Sequence, residues 1–534
     1  MSASRERKER ASIKAVAQPK KQEKKKVNEG LILAISVIAI LVAVFGTVLG
    51  IRFYQRNQVV MTVGDKDITA REFNYFFNQT ASNYGNYASY IGIDTTRTID
   101  VQTLGSENVS MMSMLGMDID CLAPYKQEDG SYDITWAGYF ALIARETAAQ
   151  TWAVYQAAMA DPNYTVPEEI ETGIQNELLN IDFYGQIYAM STDDFLEAQY
   201  GDGCNRENYE EHVRVSYVAS DYASNYRFDA SAIDAKYEAA TADFDVVTFQ
   251  AYSIGASEFL STEEAEETES EEATEEDTAA QEEAKAQAKA AAEAMVESFN
   301  AEDEKVSTYA DYTLSSAQSY ITEEAGTWLF ETAKVGDVAL FEDADTDTYY
   351  VVKLLANDVN YLSSNLLKIY INADEETETT VEEDHEGHDH EEETTEETEL
   401  SAVEKLEAVL AGLAEDNSEE NFRALQSEYS DDSSISLEDT AYAYLENYIG
   451  TDALLWVMEG RKAGDYTQVE ATDGTYVLYY LGESESYRNL SVNSFLVNEW
   501  VEEMTTTAVE NCKFDLEAAM NASVALTLNA NTEY

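Results

Sequence analysis

Hydrophobic and polar positions divide the chain into stretches of different period. Residues 30–51 are apolar and uncharged, and at ~1.5 Å rise per residue such a run is long enough to cross a bilayer as a helix. From Val59 the pattern predicts a short hairpin turning at Gly64-Asp65. Thr69 then stands as a helix N-cap with Glu72 three residues on, a capping box, and Phe73, Phe76, Phe77 and Thr80 continue a stripe at helical spacing. Further helices are predicted over 136–158, from Pro167 through Ile170, Ile174, Leu178 and Leu179, from Ser191, and from Asn205 to about Tyr226. Residues 84–135 are rich in Gly and Tyr and read as irregular, so 58–240 is expected to be a mostly helical domain.

From Phe244 the period changes. Residues 246–254 read as a strand, with 366–371 as a counterpart. Both run into acidic low-complexity inserts, 261–283 and 374–399, which carry too little apolar surface to offset their ordering entropy and are predicted to be loops. Helices follow each insert, at 284–299 and around Val403, Leu406, Val409, Leu410 and Leu413, the second copy adding a capped helix at Ser418. Trp328 is followed by Gly336-Asp337 and a strand at 349–354. Trp456 is followed by Gly464-Asp465 and a strand at 476–480, 128 residues further on. This is a duplicated unit of helix end, Gly-Asp turn and hairpin, and it predicts two α/β modules, 241–360 and 361–484. The remainder, 485–534, reads as a helix around Leu496, Trp500 and Met504 and a last strand at 524–528.

Charge adds placement. Residues 1–29 hold ten Lys/Arg against four Asp/Glu, whereas 52–534 holds 23 against 100. A basic segment before an apolar span predicts a cytoplasmic tail at 1–29, a transmembrane helix at 30–51 and the bulk of the chain outside the cell membrane in a single-pass protein. The net charge of −71 argues against nucleic acid as a partner. Cys121, Cys204 and Cys512 are an odd set without metal-type spacing and do not make a disulfide scaffold.

The order of these parts resembles the extracytoplasmic foldases related to SurA and PrsA. Val59 to Phe73 is similar to the hairpin and helix that open their chaperone domain, and Asp194-Phe195-Leu196, Tyr200-Gly201 and Asn208-Tyr209 to a later stretch of it. The two repeats resemble parvulin-type peptidyl-prolyl isomerase modules at their "G-x…G-Y-H-x-V-K-L" ends. The resemblance implies an α+β fold with a SurA-N-like chaperone domain over 58–240, two parvulin-like modules, and a C-terminal helix and strand at 485–534 returning to complete the first domain. It also implies unfolded or nascent secreted polypeptides as partners. Parvulin sites are built around two His, and here the terminal His position is Tyr350 in one copy and Tyr476 in the other, while neither first strand contains His. The expectation is therefore a foldase or holdase whose modules are catalytically degenerate. An active prolyl isomerase is the alternative, in which Tyr hydroxyls would serve a desolvated pocket.

One further cluster has ligand chemistry. His385, His388 and His390 lie among carboxylates in the second insert, a donor set that suits weak capture of Zn²⁺ or Ni²⁺. Its spacing matches no structural zinc pattern, no other cofactor is implied, and a metal-responsive binding protein is the third reading.

Overall fold

The hairpin and the helical periods recur in a computed structural model of the chain, which describes residues 47, 50–260, 275–373, 400–432, 434 and 436–522. Two units are distinguished. One joins the chain up to Tyr226 to the segment from Trp500 onward; the other is Arg227–Glu499.

In the first unit, β1 (Val59–Val63) and β2 (Lys66–Thr69) pair antiparallel and lead into α1 (Ala70–Asn83). The Glu72 carboxylate accepts from the Thr69 backbone N–H at 2.6 Å, which fixes the first turn of α1. Phe73, Phe76 and Phe77 are buried there against Trp136, Phe140 and Ala144 of α3 (Trp136–Ala160). The stretch expected to be irregular holds one helix, α2 (Ser106–Met114), amid short turns. The next helices, α4 (Glu168–Ile187), α5 (Thr192–Tyr200) and α6 (Arg206–Asn225), close around Tyr75, Ile174, Leu178, Leu196 and Tyr209.

The second unit opens with α7 (Ala230–Ala239) and carries two four-stranded antiparallel sheets of the same design. The first is built from β3 (Val247–Gly255), β4 (Val306–Tyr312), β5 (Val338–Asp343) and β6 (Thr348–Ala356), in the order β4-β3-β6-β5. Helix α8 (Glu275–Glu297) lays Ala288, Ala292 and Met295 on one face. On the other face lie α9 (Leu314–Tyr320) and α10 (Glu323–Glu331), through Ala317, Ala325 and Leu329. The second sheet has β7 (Leu362–Asn372), β8 (Ser436–Thr440), β9 (Tyr466–Ala471) and β10 (Gly474–Ser486), in the order β8-β7-β10-β9. It is covered by α11 (Ala402–Glu415) and α12 (Glu419–Tyr429) on one face, and by α13 (Tyr442–Tyr448) and α14 (Thr451–Met458) on the other. The strands expected at 246–254 and 366–371 are β3 and β7, central in their sheets and buried along most of their length.

The duplication extends to single hydrogen bonds. Gly336 N–H donates to the Leu354 carbonyl (2.8 Å), and Leu354 N–H donates back to that of Asp337 (3.1 Å). Gly464 and Asp465 make the same pair of bonds with Tyr480, at 2.9 and 2.8 Å. Each turn is closed by an aspartate that accepts from the backbone three residues earlier, Asp337 from Lys334 and Asp465 from Lys462. The strands β4 and β8 also share a left-handed residue, Asp311 (φ 56°) and Asp439 (φ 51°). The Asp311 Oδ2 accepts from Ala443 N–H of the second module (2.7 Å) and from the Tyr361 hydroxyl (2.9 Å), whose ring stacks on Tyr442 at 3.8 Å. Its Oδ1 is shut off from solvent and has no partner among the described residues.

The chain then enters α15 (Tyr487–Asn511), which begins in the second unit and ends in the first. In the first unit it is followed by α16 (Leu516–Ala522), whose Ala518 and Ala519 join the same core as Phe73. Asp515 N–H donates to the Val60 carbonyl at 2.8 Å, tying this return to the hairpin.

Three expectations change. Among the described residues no helix is long and apolar enough to cross a membrane. The long helices are too polar, Arg145 and Glu146 interrupting α3, and Glu499, Glu502, Glu503 and Glu510 lying along α15. The transmembrane assignment of 30–51 and the single-pass, outward-facing placement at the cell membrane that followed from it are therefore not supported; of that segment only residues 47, 50 and 51 are described. The α+β part of the class fits, with 56% helix and 19% strand. The first acidic insert is shorter than expected, because α8 starts at Glu275 rather than near 284. The strand at 524–528 and the insert at 374–399 lie outside the described residues.

Candidate functional site

In the first unit, the hairpin turn after β1, the C-terminal turns of α3 and the C-terminal half of α15 line a groove of about 820 Å³. The sequence places its walls in three ways. Gly64 takes the left-handed conformation (φ 56°) that the tight turn needs, and a Cβ there would come within 2.4 Å of Gln156 Oε1. Gln156 Nε2 donates to the Val63 carbonyl at 2.9 Å, holding the hairpin on α3. Trp500 stacks on Tyr226 at 4.8 Å and meets Tyr222 edge-on at 6.0 Å, which fixes the start of the α15 wall.

The groove is apolar along Val63, Ala153, Trp500, Met504 and Ala508 and polar at Thr62, Asp67, Glu503, Thr507, Asn511 and Lys513. A lining that mixes apolar side chains with hydrogen-bonding groups can take both the side chains and the backbone of a flexible chain. Behind it, Lys66 lies 4.6 Å over the Trp152 ring and is paired with Glu211 (2.6 Å) and Glu72 (3.0 Å). Burial alone would lower its ammonium, but hydrogen bonds to Glu211 and Glu72 outweigh it and hold the group above its ordinary value. Glu72, for its part, is pushed up by burial, yet bonds from Thr69 and Lys66 bring it net below the usual carboxylate range.

The predicted parvulin positions lie on matching faces of the two sheets. Tyr350 pairs with Ser253 on β3 and Phe341 on β5, and packs on the α9–α10 side. Desolvation, together with the charge of Asp343, raises its phenol. Tyr476 pairs with Tyr370 and Val469, and its ring lies 4.7 Å from that of Tyr370. Beside it Lys368 is buried, ion-paired to Asp432 at 2.6 Å. That pair is satisfied within the sheet and its loop, and Lys368 holds the Asp432 carboxyl below its usual range. Around neither Tyr do the described residues place a His. A second, open cleft of about 670 Å³ beside Trp328 and Phe341 has an acidic mouth of Glu323, Glu324, Glu342, Asp343 and Asp345.

His385, His388 and His390 lie outside the described residues. Among the described residues no group of three or more His, Cys, Asp or Glu side chains is placed to hold a metal ion. The described histidine, His212, stacks on Tyr75 at 5.1 Å and meets Phe76 edge-on at 4.7 Å. Burial pushes its imidazole down to about 4, which suits a neutral core residue.

Sequence reading missed the groove. Its residues come from three segments up to about 450 positions apart, and only Gly64, as a hairpin turn, and Trp500 and Met504, as parts of a helical stripe, had stood out. Comparison with known proteins adds nothing here, since no family model and no curated protein matches the chain.

Proposed function

We propose that this protein binds unfolded or nascent polypeptides as a holdase or foldase of the SurA/PrsA type, and that its two modules do not catalyse prolyl isomerisation. The observation that carries the reading is the groove of about 820 Å³ between the β1 turn, α3 and α15, which sets Val63, Ala153, Trp500, Met504 and Ala508 among polar side chains. Burial of apolar client segments along Trp500 and Met504 would protect a chain without any covalent step, each buried methylene contributing ~0.8 kcal/mol. Supporting the second half are the lack of a His beside Tyr350 or Tyr476 among the described residues and the filling of the second module's face. Prolyl rotation has a barrier of ~20 kcal/mol, and lowering it requires a shaped, receptive pocket. In the second module the equivalent place is taken up by Tyr370, Tyr476 and the Lys368–Asp432 pair.

Two assays on the full-length protein test this. Aggregation of a chemically unfolded client should be suppressed at near-stoichiometric ratios, and Glu503→Lys with Thr507→Lys, at exposed positions of the α15 wall, should change which clients are protected while leaving the melting curve in place. A proline tetrapeptide should isomerise at its uncatalysed rate, with relaxation on the order of 10–100 s. Acceleration of the tetrapeptide together with unprotected aggregation would replace this reading by the enzymatic one.

A further inference from the structure

Helix α4 has more apolar surface than its core uses. Ile174, Leu178 and Ile181 are buried against α5 and α6. On another face Leu179, Phe183 and Ile187, spaced four apart, continue into Tyr184, Tyr188 and Met190, and these six are between 46% (Tyr184) and 63% (Leu179) exposed. Side chains four apart on a helix lie over one another and form one strip. A contiguous apolar patch beyond a few hundred Å² on a folded protein marks an interaction surface.

The strip is built to keep its shape. Tyr184 and Tyr188 both stack on the buried Phe195 of α5, at 6.3 and 5.5 Å with interplanar angles of 14° and 21°. The helix end is fixed by Ala189 in the left-handed region (φ 54°) and by Met190 N–H donating to the Gly185 carbonyl at 2.9 Å. Aromatic rings held this way present their faces to a ligand at little entropic cost.

Charge selects the occupant. Helices α4 and α5 contain Glu168, Glu169, Glu171, Glu177, Asp182, Asp193, Asp194 and Glu197 and no Lys or Arg. Two Arg side chains approach them from α6, Arg206 paired with Asp182 (3.2 Å) and Glu210 (3.7 Å) and Arg214 with Glu171 (2.7 Å), which leaves the carboxylates in excess. A second copy of a chain of net charge −71 would bring like charge against like. A segment alternating large apolar residues with Lys or Arg would instead bury its apolar side chains on the strip and meet carboxylates on its flanks and ring faces beneath its cations. We infer that the Leu179–Met190 face is a docking surface for cationic, apolar segments of non-native polypeptides. This deepens the proposed function and rests on it, adding a surface and a client chemistry distinct from the α15 groove.

The test uses the full-length protein and fluorescence anisotropy with two labelled peptides, one alternating Leu and Phe with Lys and Arg, the other carrying Glu in place of every cation. The cationic peptide should bind at least roughly tenfold more tightly than the acidic one, and ~0.5 M salt should narrow the difference. Phe183→Ser with Ile187→Ser, both at exposed positions, should cut cationic-peptide affinity by roughly tenfold or more and leave the melting curve unchanged. Tyr188→Lys, which lies beyond the helix end, should do the same by charge. If these variants bind like the parent while the protein still suppresses aggregation, the strip is not the site and only this inference falls. If light scattering shows a dimer that they turn into monomer, the occupant is a second copy and the inference is overturned. If the parent binds neither peptide and protects no client, the proposed function falls with it.

Discussion

Single titratable residues give the two units opposite responses to acid. His212 is held near pKa 4, well below its ordinary 6.5, so the native state keeps it neutral while the unfolded chain takes up a proton. Its contribution is complete above about pH 6.5 and is lost as pH falls toward 4, amounting to about 3 kcal/mol at most. His212→Phe, which keeps both ring contacts, should flatten that part of the pH–stability curve of the first unit. Asp311 is the reverse. Burial, outweighing the bonds from Ala443 and Tyr361, pushes its carboxyl up to about 6 from 3.8. Its contribution is therefore complete below pH 4 and fades as pH rises through 6. Asp311→Asn should make the second unit less sensitive between pH 4 and 7, and amide hydrogen exchange around 436–445 reads that directly. An unchanged profile in either variant would show that the group does not titrate as described.

At the scale of elements, the repeated turns allow a controlled comparison. Gly336 (φ 91°) and Gly464 (φ 95°) have only open space or ordinary contacts around an added Cβ. Gly336→Ala and Gly464→Ala should therefore each cost only the left-handed penalty, about 1 kcal/mol, and should add in the double variant. Gly474 differs. A Cβ there would sit 2.3 Å from the Ile371 backbone carbonyl, so Gly474→Ala should cost clearly more in a denaturant melt. These elements were legible because their signals are local. The Thr69–Glu72 cap, the Gly-Asp turns and the Trp spacing each lie within a few residues of what they specify. The long-range features were not. Nothing in the neighbourhood of Asp311 announces that Ala443, 132 residues away, will donate to it. Helix α8 was read too short because its first turn is as acidic as the insert before it. The second apolar stripe of α4 was partly visible at Leu179, but its continuation through Phe183 and Ile187 could equally have packed a core.

For the whole molecule, the net charge of −71 sets a self-repulsion that salt screens. The melting temperature should rise between ~20 mM and ~0.5 M NaCl, and no rise would mean that the carboxylates are already compensated. Chain connectivity has a different consequence. The second unit, 273 residues, is inserted between Tyr226 and Trp500, which the first unit brings face to face. A ribosome adding ~5–20 residues per second takes roughly 15–55 s to cross that insertion. Throughout that interval the hairpin and α3 exist without the α15 wall, so the groove is open on one side while the apolar strands of both sheets emerge. The α15 wall is completed only after those strands have been made, which keeps the groove itself from capturing the chain's own unfinished half.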